Sequence, residues 1–347
     1  MGKKIVFRLD AGLKKGYGHL SRCMNLAEEF LPDYFCHFLV KTDDEKGVQQ
    51  YIARRKIADT PFCADFIEEE ENTRNELKII LKALGSDVFL VLDHYAADED
   101  YQIALKQKSI SWLQFDSHGR GPFYSDLVLH ASPGATRTIY KPLLKNPDTR
   151  LLLGPQYAVL HRNFREARRA LEPRQSLSKI FMSFGGGKSA PIVFQVLKLL
   201  DDQLIRNLRI DVLIGSTPES EELEKLVESY EQIYLHIGKS DVVPFMLSAD
   251  LAIISPGTLS YEAACLGLPM LLIPFADNQF MNARGWSEAG CAVNAGIIGT
   301  LQAEKLNDIL SELKESPAKI ASMSRKSMDL VDGYGAVRVK SEIEKVL

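Results

Sequence analysis

The sequence predicts an α/β protein made of two Rossmann-like, doubly wound domains that face one another across a cleft. Short apolar runs alternate with helical patterns along most of the 347 residues, which is typical of parallel sheets with helical crossovers. A chain of this length also exceeds what one hydrophobic core usually organises. In each half a strand leads through a glycine-containing turn into a helix, so the same unit is predicted twice.

Each element is predicted from its own residue pattern, with buried strands at short apolar runs and helices where apolar residues recur every three or four positions. The strands predicted in the first half are residues 5–9, 34–40, 87–92, 111–115, 126–129 and 151–154. The helices predicted there begin at His19 and then cover residues 45–54, 73–84 and the basic stretch 161–171. In the second half the predicted strands are residues 179–184, 208–214, 233–236, 251–254 and 270–274, and three helices close the chain.

A polar linker separates the two predicted domains. Residues 172–178 read EPRQSLS, contain a proline and show no apolar period. We therefore expect a first domain of residues 1–174 and a second of residues 175–347, which includes the last helix at residues 336–346.

The residues that follow the first strand carry the main catalytic prediction. Gly16 and Gly18 come just before His19, at the start of a helix whose apolar stripe consists of Leu20, Cys23, Met24, Ala27 and Leu31. The partial positive charge at a helix N-terminus disfavours imidazolium, so His19 is predicted to be a neutral general base. Arg22 lies on about the same helix face. The alternative is that His19 only caps the helix and the glycines only form a turn.

Polar residues also follow other strands of the first domain. Asp93, His94 and Tyr95 come directly after the predicted strand 87–92, and we expect them at the same carboxyl edge as His19. We assign these three residues, with His19, to the catalytic group.

The second domain carries the nucleotide prediction. Ser255, Gly257 and Thr258 lie between a strand and a helix, where backbone amides and hydroxyls suit a diphosphate. Glu262 follows one helical turn later and is predicted to accept hydrogen bonds from the ribose hydroxyls, although a solvated helix charge is the alternative. Asn278 and Gln279 follow the next strand. The run of three glycines centred on Gly186 is a further candidate phosphate loop.

Several other chemistries are disfavoured by the motifs. Neither glycine region matches the dinucleotide fingerprint or the Walker loop, so no nicotinamide or other cofactor is expected. Asp98-Glu99-Asp100 matches a metal-binding DxD string, but acidic residues are also favoured at a helix start, which is the interpretation we adopt. No histidine or cysteine spacing predicts a metal site.

Composition indicates the class of protein. A net charge of −4 and an isoelectric point near 6.0 argue against a general nucleic-acid binder. Five scattered cysteines indicate reduced thiols. The amino terminus lacks a signal-peptide core, and the most apolar run, residues 267–276, is too short to span a bilayer. We expect a cytoplasmic monomer without a membrane span.

The motifs taken together resemble a known family, the UDP-sugar hydrolases of pseudaminic acid biosynthesis, with related sequences in spore-coat polysaccharide clusters. The resemblance covers nearly the whole chain and rests on Phe7-Arg8-x-Asp10, Gly16-x-Gly18-His19 with Arg22, Asp93-His94-Tyr95, Gly154-x-x-Tyr157-Ala158-x-Leu160 with Phe164, Glu262 and Asn278-Gln279. It implies a GT-B fold in which the first domain holds the sugar, the second holds UDP and His19 is the base. It also implies that Asp10 and Tyr157 contact the substrate.

The predicted function is a metal-independent UDP-sugar hydrolase in which His19 activates water for attack at the anomeric carbon. A GT-B glycosyltransferase, in which His19 would deprotonate an acceptor hydroxyl, is the main alternative. A non-catalytic UDP-sugar-binding subunit is another, but it would need neither His19 nor Arg22.

Overall fold

The computed structural model describes residues 4–55, 60–68, 73–83, 88–185, 189–215 and 221–347. These residues form two compact units. The first unit contains the chain up to residue 131, residues 135–161 and residues 334–347, whereas the second contains residues 132–134 and 162–333. Among the described residues, no helix combines the length and apolar character that crossing a membrane requires.

The first unit is built on a parallel sheet with strand order β3-β2-β1-β4-β5-β6-β7. Its strands are β1 (Lys4–Ala11), β2 (Phe35–Thr42), β3 (Phe62–Glu68), β4 (Val88–Asp93), β5 (Ser111–Phe115), β6 (Leu127–His130) and β7 (Arg150–Leu153). Its helices before β7 are α1 (Gly18–Phe30), α2 (Glu45–Arg54), α3 (Thr73–Ala83), α4 (Glu99–Gln107) and α5 (Arg137–Tyr140). The strand order reverses between β1 and β4, and the carboxyl end of such a switch point is where open α/β sheets bind ligands.

Helix α1 packs its apolar face on β1 and thereby fixes the start of the helix at the sheet edge. The buried positions of the helix are Leu20, Cys23, Met24, Asn25, Leu26, Ala27 and Phe30. All of these except Asn25 share one hydrophobic core cluster with Ile5, Phe7 and Leu9 of β1. The predicted stripe is therefore correct up to Ala27, but the helix ends at Phe30, one residue before Leu31.

The second unit repeats the architecture with strand order β10-β9-β8-β11-β12-β13, again all parallel. Its strands are β8 (Lys179–Ser183), β9 (Arg209–Ile214), β10 (Ile233–Ile237), β11 (Leu251–Ile254), β12 (Met270–Leu272) and β13 (Ala292–Asn294). Its helices are α6 (Arg162–Arg168), α7 (Ala190–Leu199), α8 (Asp202–Arg206), α9 (Glu221–Glu228), α10 (Val243–Ser248), α11 (Thr258–Cys265), α12 (Phe280–Glu288), α13 (Ala303–Glu315) and α14 (Pro317–Leu330).

The structure divides the chain at other positions than the predicted boundary between residues 174 and 175. Helix α6 belongs to the second unit, because Arg168 and Arg174 each donate hydrogen bonds to several backbone carbonyls of that unit. The last helix, α15 (Gly335–Glu344), belongs instead to the first unit, where its buried face joins the core cluster of β1 and α1. Two strands, β3 and β13, were not predicted.

Candidate functional site

The register of the sheet positions the residues of the site in the first unit. Strands β1 and β4 are parallel neighbours in which Leu9 pairs with Asp93, so the polar residues after both strands share one edge. Helix α1 begins at Gly18 above this edge and brings His19 and Arg22 to it. The predicted convergence of His19, Arg22 and Asp93 is therefore present in the structure.

Asp93 is the centre of this cluster. Its Oδ1 atom lies 2.8 Å from Nδ1 of His19, and Nε of Arg22 donates to its Oδ2 atom at 2.6 Å. A second guanidinium nitrogen of Arg22 contacts Oδ1, so the pair is bidentate. The backbone carbonyl of Asp93 is 3.0 Å from the same ring nitrogen of His19.

Burial and charge act in opposite directions on Asp93. The carboxylate is 1% exposed, and burial alone would raise its pKa. The charge of Arg22 and the contact with His19 outweigh burial and hold the pKa of Asp93 well below its ordinary value. The guanidinium of Arg22 in turn lies 4.8 Å from the centre of the Phe115 ring. Asp93 is therefore an ionised carboxylate in a buried setting.

This ionised carboxylate fixes the tautomer of His19. A carboxylate and a carbonyl oxygen both accept hydrogen bonds, so the Nδ1 atom that faces them must carry the proton. The lone pair of a neutral His19 then resides on Nε2, and the side chain keeps 14% of its surface exposed. This is the arrangement that a histidine base needs. The side chain of His19 does not cap α1, whose N-cap is Tyr17 and has no side-chain capping bond.

Tyr95 lies beside His19, whereas the side chain of His94 is buried in the core. The ring of Tyr95 meets that of His19 edge-on at 5.1 Å, and half of the Tyr95 surface is exposed. His94 is buried, with Nδ1 accepting from the Ala96 amide at 3.3 Å and Nε2 3.8 Å from Glu76. Burial lowers the pKa of His94 well below its ordinary value. The ring of His94 is therefore a neutral, buried group, and its predicted catalytic role stays a prediction that these contacts do not support.

The glycine turn is shaped by Asp43, a residue that no sequence motif indicates. Gly12 and Gly16 exchange two backbone hydrogen bonds and both have positive φ, 142° and 75°. A Cβ atom on Gly12 would lie 1.9 Å from Oδ1 of Asp43, which accepts from the amide of Leu13 at 2.8 Å. The turn therefore depends on glycine at positions 12 and 16. Gly18 is the first residue of α1.

Asp10 is held by a buried ion-pair network. Nη1 of Arg8 lies 2.7 Å from Oδ1 of Asp10, and Nε of Arg8 donates to Glu76 at 2.9 Å. Arg8 is fully buried and Glu76 is 2% exposed. Glu76 was missed because it lies 68 positions after Arg8, on α3, and no local pattern marks it. Tyr157, the other residue implied by resemblance, is partly buried against the core that contains β1.

In the second unit, the turn between β11 and α11 is braced from α12. The side-chain amide of Asn282 donates to the Pro256 carbonyl at 2.6 Å, and Trp286 donates to Ser260 Oγ at 3.0 Å. Ser255 is 5% exposed and precedes Gly257, the N-cap of α11, which has no side-chain capping bond. Thr258 is the first residue of the helix. The predicted order of turn, helix start and Glu262 is therefore correct.

Glu262 is the most unusual side chain of this turn. It is half-buried, and among the described residues it makes no side-chain hydrogen bond or ion pair. Burial raises the pKa of Glu262 to about 7. A solvated helix charge would not show these properties, so that alternative does not describe Glu262.

The remaining predicted residues of this unit are described only in part. Oε1 of Gln279 accepts from the Phe275 amide at 2.9 Å, so this oxygen shapes the loop after β12. The side chain of Asn278 and all of Gly186 lie outside the described residues. Gly185 follows β8 with a φ of 98°.

The DxD string forms a helix start, as predicted. Asp98 is the N-cap of α4, and its side chain accepts from the Tyr101 amide at 2.9 Å. Within the part of the chain that the structure describes, no group of three or more histidine, cysteine, aspartate or glutamate side chains could hold a metal ion.

Comparison with known proteins supports both the fold and the resemblance. No protein-family model matches the chain. It is 26% identical over 337 residues to the spore coat polysaccharide biosynthesis protein SpsG of Bacillus subtilis, covering 96% of each. It is 24% identical over 293 residues to the UDP-2,4-diacetamido-2,4,6-trideoxy-β-L-altropyranose hydrolase of Campylobacter jejuni, covering 84% of this chain and 98% of that one.

Among solved structures, MurG of Acinetobacter baumannii is similar with a TM-score of 0.64 over 99% of each chain, at 16% identity. This likeness and the two parallel sheets confirm the predicted GT-B fold. The two relatives confirm the predicted resemblance.

Proposed function

We propose that the protein is a UDP-sugar hydrolase that releases UDP by attack of water on the anomeric carbon. Nε2 of His19 takes a proton from water as the water oxygen bonds to that carbon. The bond between the carbon and the UDP oxygen breaks, and UDP leaves with the electron pair. UDP is a good leaving group, so no general acid is needed. General-base assistance of this kind contributes about 10²–10⁴-fold to the rate.

The observation that carries this proposal is the contact between His19 and Asp93. It directs the Nδ1 proton of His19 toward a buried carboxylate and leaves Nε2 free to accept a proton. Asp93 also stabilises the imidazolium that forms during attack, as the aspartate of a catalytic triad does. Arg22 keeps Asp93 ionised, so all three residues act as one group.

The second unit supplies the proposed UDP site. Amides at the start of α11 would bind the diphosphate, since a helix N-terminus favours anions. The partner-free carboxylate of Glu262 would accept hydrogen bonds from the ribose hydroxyls. The name of the Campylobacter jejuni relative, a hydrolase of a UDP-linked diacetamido sugar, supports a UDP-sugar substrate and a role in surface-polysaccharide or nonulosonic acid biosynthesis.

Hydrolysis in ¹⁸O-labelled water tests the proposal. The protein is incubated with a panel of UDP-sugars and no acceptor, and the products are analysed by mass spectrometry. We expect free UDP without label and free sugar with one ¹⁸O at the anomeric carbon. Label in UDP would mean attack at phosphorus and would contradict the role given to His19. Turnover only after addition of an acceptor would identify a glycosyltransferase.

A further inference from the structure

A second histidine of the first unit, His130, is fixed by its neighbours in much the same way as His19. His130 is the last residue of β6, and Asp116 directly follows β5. Register pairs Phe115 with Leu129, so Asp116 and His130 extend from neighbouring strand ends on one face of the sheet. Tyr140, at the end of α5, contacts both side chains.

The direction of each hydrogen bond in this group follows from Asp116. Its carboxylate accepts from the amides of His118 at 3.1 Å and Gly119 at 2.8 Å, and it also contacts the Tyr140 hydroxyl. A carboxylate only accepts, so Tyr140 donates its single proton to Asp116. The Tyr140 oxygen must then accept from Nδ1–H of His130. The lone pair of a neutral His130 is therefore on Nε2.

This lone pair has no partner within the described part of the chain. His130 as a residue is only 4% exposed, yet its Nε2 atom is not fully buried. Among the described residues, this atom makes no hydrogen bond. Burial is the main cause that lowers the pKa of His130 to about 4, and the charge of Arg22 acts in the same direction. The ring is thus a neutral acceptor within electrostatic range of the His19 site.

We propose that His130 is a specificity-determining residue whose Nε2 atom accepts a hydrogen bond from a hydroxyl or amide N–H of the sugar. Tyr140 and Asp116 are its positioning residues, because they hold the proton on Nδ1. This proposal rests on the proposed function only in taking the sugar of a UDP-sugar as the ligand. A fixed acceptor of this kind favours sugars that present a donor and disfavours analogues that lack it.

The tautomer can be measured without any ligand. The protein is labelled with ¹⁵N-histidine, and long-range ¹H–¹⁵N spectra of wild type and His130→Asn identify the His130 ring. We expect the Nδ1–H tautomer in wild type and a shift toward the Nε2–H tautomer in Tyr140→Phe. An Nε2–H tautomer in the wild type would overturn the proposal.

Calorimetry then tests the contact with the sugar. A His19→Asn background slows turnover, and UDP, UDP-glucose and UDP-N-acetylglucosamine are the ligands. We expect His130→Leu to weaken binding of at least one UDP-sugar by about tenfold, while its affinity for UDP changes less than twofold. Loss with both sugars indicates a hydroxyl donor, and loss only with the N-acetyl sugar indicates the amide.

Two further variants complete the design. Tyr140→Phe should weaken the same ligand by a smaller factor, whereas Tyr124→Phe, which removes a hydroxyl bonded 2.7 Å from Glu99 at the surface, should not. If His130→Leu does not fold, His130→Phe, which also lacks an acceptor, replaces it. Equal losses for UDP and UDP-sugar, or no loss at all, would overturn the proposal. Absence of hydrolysis in the ¹⁸O experiment would leave this binding test unaffected.

Discussion

Arg22 and Asp93 are 71 positions apart in the chain, yet the guanidinium of Arg22 contacts both carboxylate oxygens of Asp93. Asp93 is almost completely buried, and His19 faces the same Oδ1 atom. The arginine therefore compensates the buried negative charge of Asp93, on which the proposed role of His19 depends.

Removal of Arg22 should destabilise the protein by about 3–5 kcal/mol, because it leaves a buried charge without its main partner. Unfolding of Arg22→Met by denaturant measures this cost. The double variant Arg22→Met/Asp93→Asn is the control and should be less destabilised, since no buried charge remains. Equal destabilisation of the two variants would mean that lost packing, not charge, explains the effect.

The same ion pair predicts how stability depends on pH. The folded pKa of Asp93 is depressed, so its contribution is present above its unfolded pKa, about 3.9, and is lost as the pH falls below it. Melting temperatures of wild type should therefore decrease from about pH 5 toward pH 3. In Arg22→Met the decrease over this range should be smaller. A steeper decrease in the variant would contradict the assignment.

Substitution of His19 should affect turnover, whereas substitution of His94 should affect stability. His19→Asn should lower turnover by roughly 10²-fold or more while UDP affinity is kept, because the proton acceptor is lost. His94→Gln should lower the melting temperature but leave turnover within a few-fold, because His94 is a buried neutral ring. Steady-state kinetics and thermal unfolding of both variants decide between these roles. Near-normal turnover in His19→Asn would exclude it as the base.

Activity should survive EDTA and exhaustive dialysis. The aspartate that begins the DxD string is used as a helix cap, and Asp98→Ala should cost about 1 kcal/mol of stability. Asp98→Asn, which can still cap, is the matched control. If chelation abolished UDP release and Mg²⁺ or Mn²⁺ restored it, a metal-independent mechanism would be wrong.

Glu262 should make nucleoside affinity depend on pH. Its pKa near 7 means that it becomes a charged acceptor between about pH 6 and 8, so uridine should bind more tightly across this range. Uridine is the better probe because it has no phosphate that titrates there. Glu262→Gln should bind uridine at least about tenfold more weakly at pH 8 and show little pH dependence. A parallel pH dependence in wild type and variant would place the ribose elsewhere.

The same variant should be more stable than wild type in alkaline solution. The folded pKa of Glu262 is raised, so its favourable contribution is present below the unfolded pKa near 4.3 and is lost as the pH rises through 7. Melting curves of Glu262→Gln and wild type should therefore diverge with increasing pH. Such a gain in stability with a loss of binding is typical of functional residues.

Arg168 should contribute to stability through helix ends rather than through surface charge. It donates to the carbonyls of Cys265, Met328 and Val331, which close α11 and α14. Arg168→Ala should lower the melting temperature of the second unit by several degrees, since three carbonyls lose their donor. Arg169→Ala removes the same charge from an exposed neighbour and should have little effect. Similar losses in both variants would indicate a general charge effect.

The sequence was most informative where one local pattern sufficed. Helix α2 and strands β5 and β11 have the predicted bounds, because their apolar periods end at clear polar boundaries. Strand β3 was missed because it is an edge strand with mostly half-buried residues, so it lacks a continuous apolar run. Helix α15 was predicted, but its place in the first unit was not, since only tertiary packing determines it.

In the candidate site, too, contacts that depend on tertiary packing could not be predicted from the sequence. The convergence of His19, Arg22 and Asp93 could be predicted because each follows a strand or lies near the start of a helix. Glu76 and Tyr140 were not found, because each depends on a partner from a separate element that only the fold brings near. The burial of His94 was not predicted, because successive residues of a strand point to opposite faces and position in the chain alone does not say which face is open.

The position of α15 has a consequence for folding during synthesis. Ala336, Val339 and Ile343 complete the core that contains β1 and α1, although the ribosome makes them after residues 162–333 of the second unit. At about 5–20 residues per second, the first unit waits roughly 10–30 s while the second unit is translated. During that time the apolar face that α15 covers stays exposed, which favours aggregation of the nascent first unit.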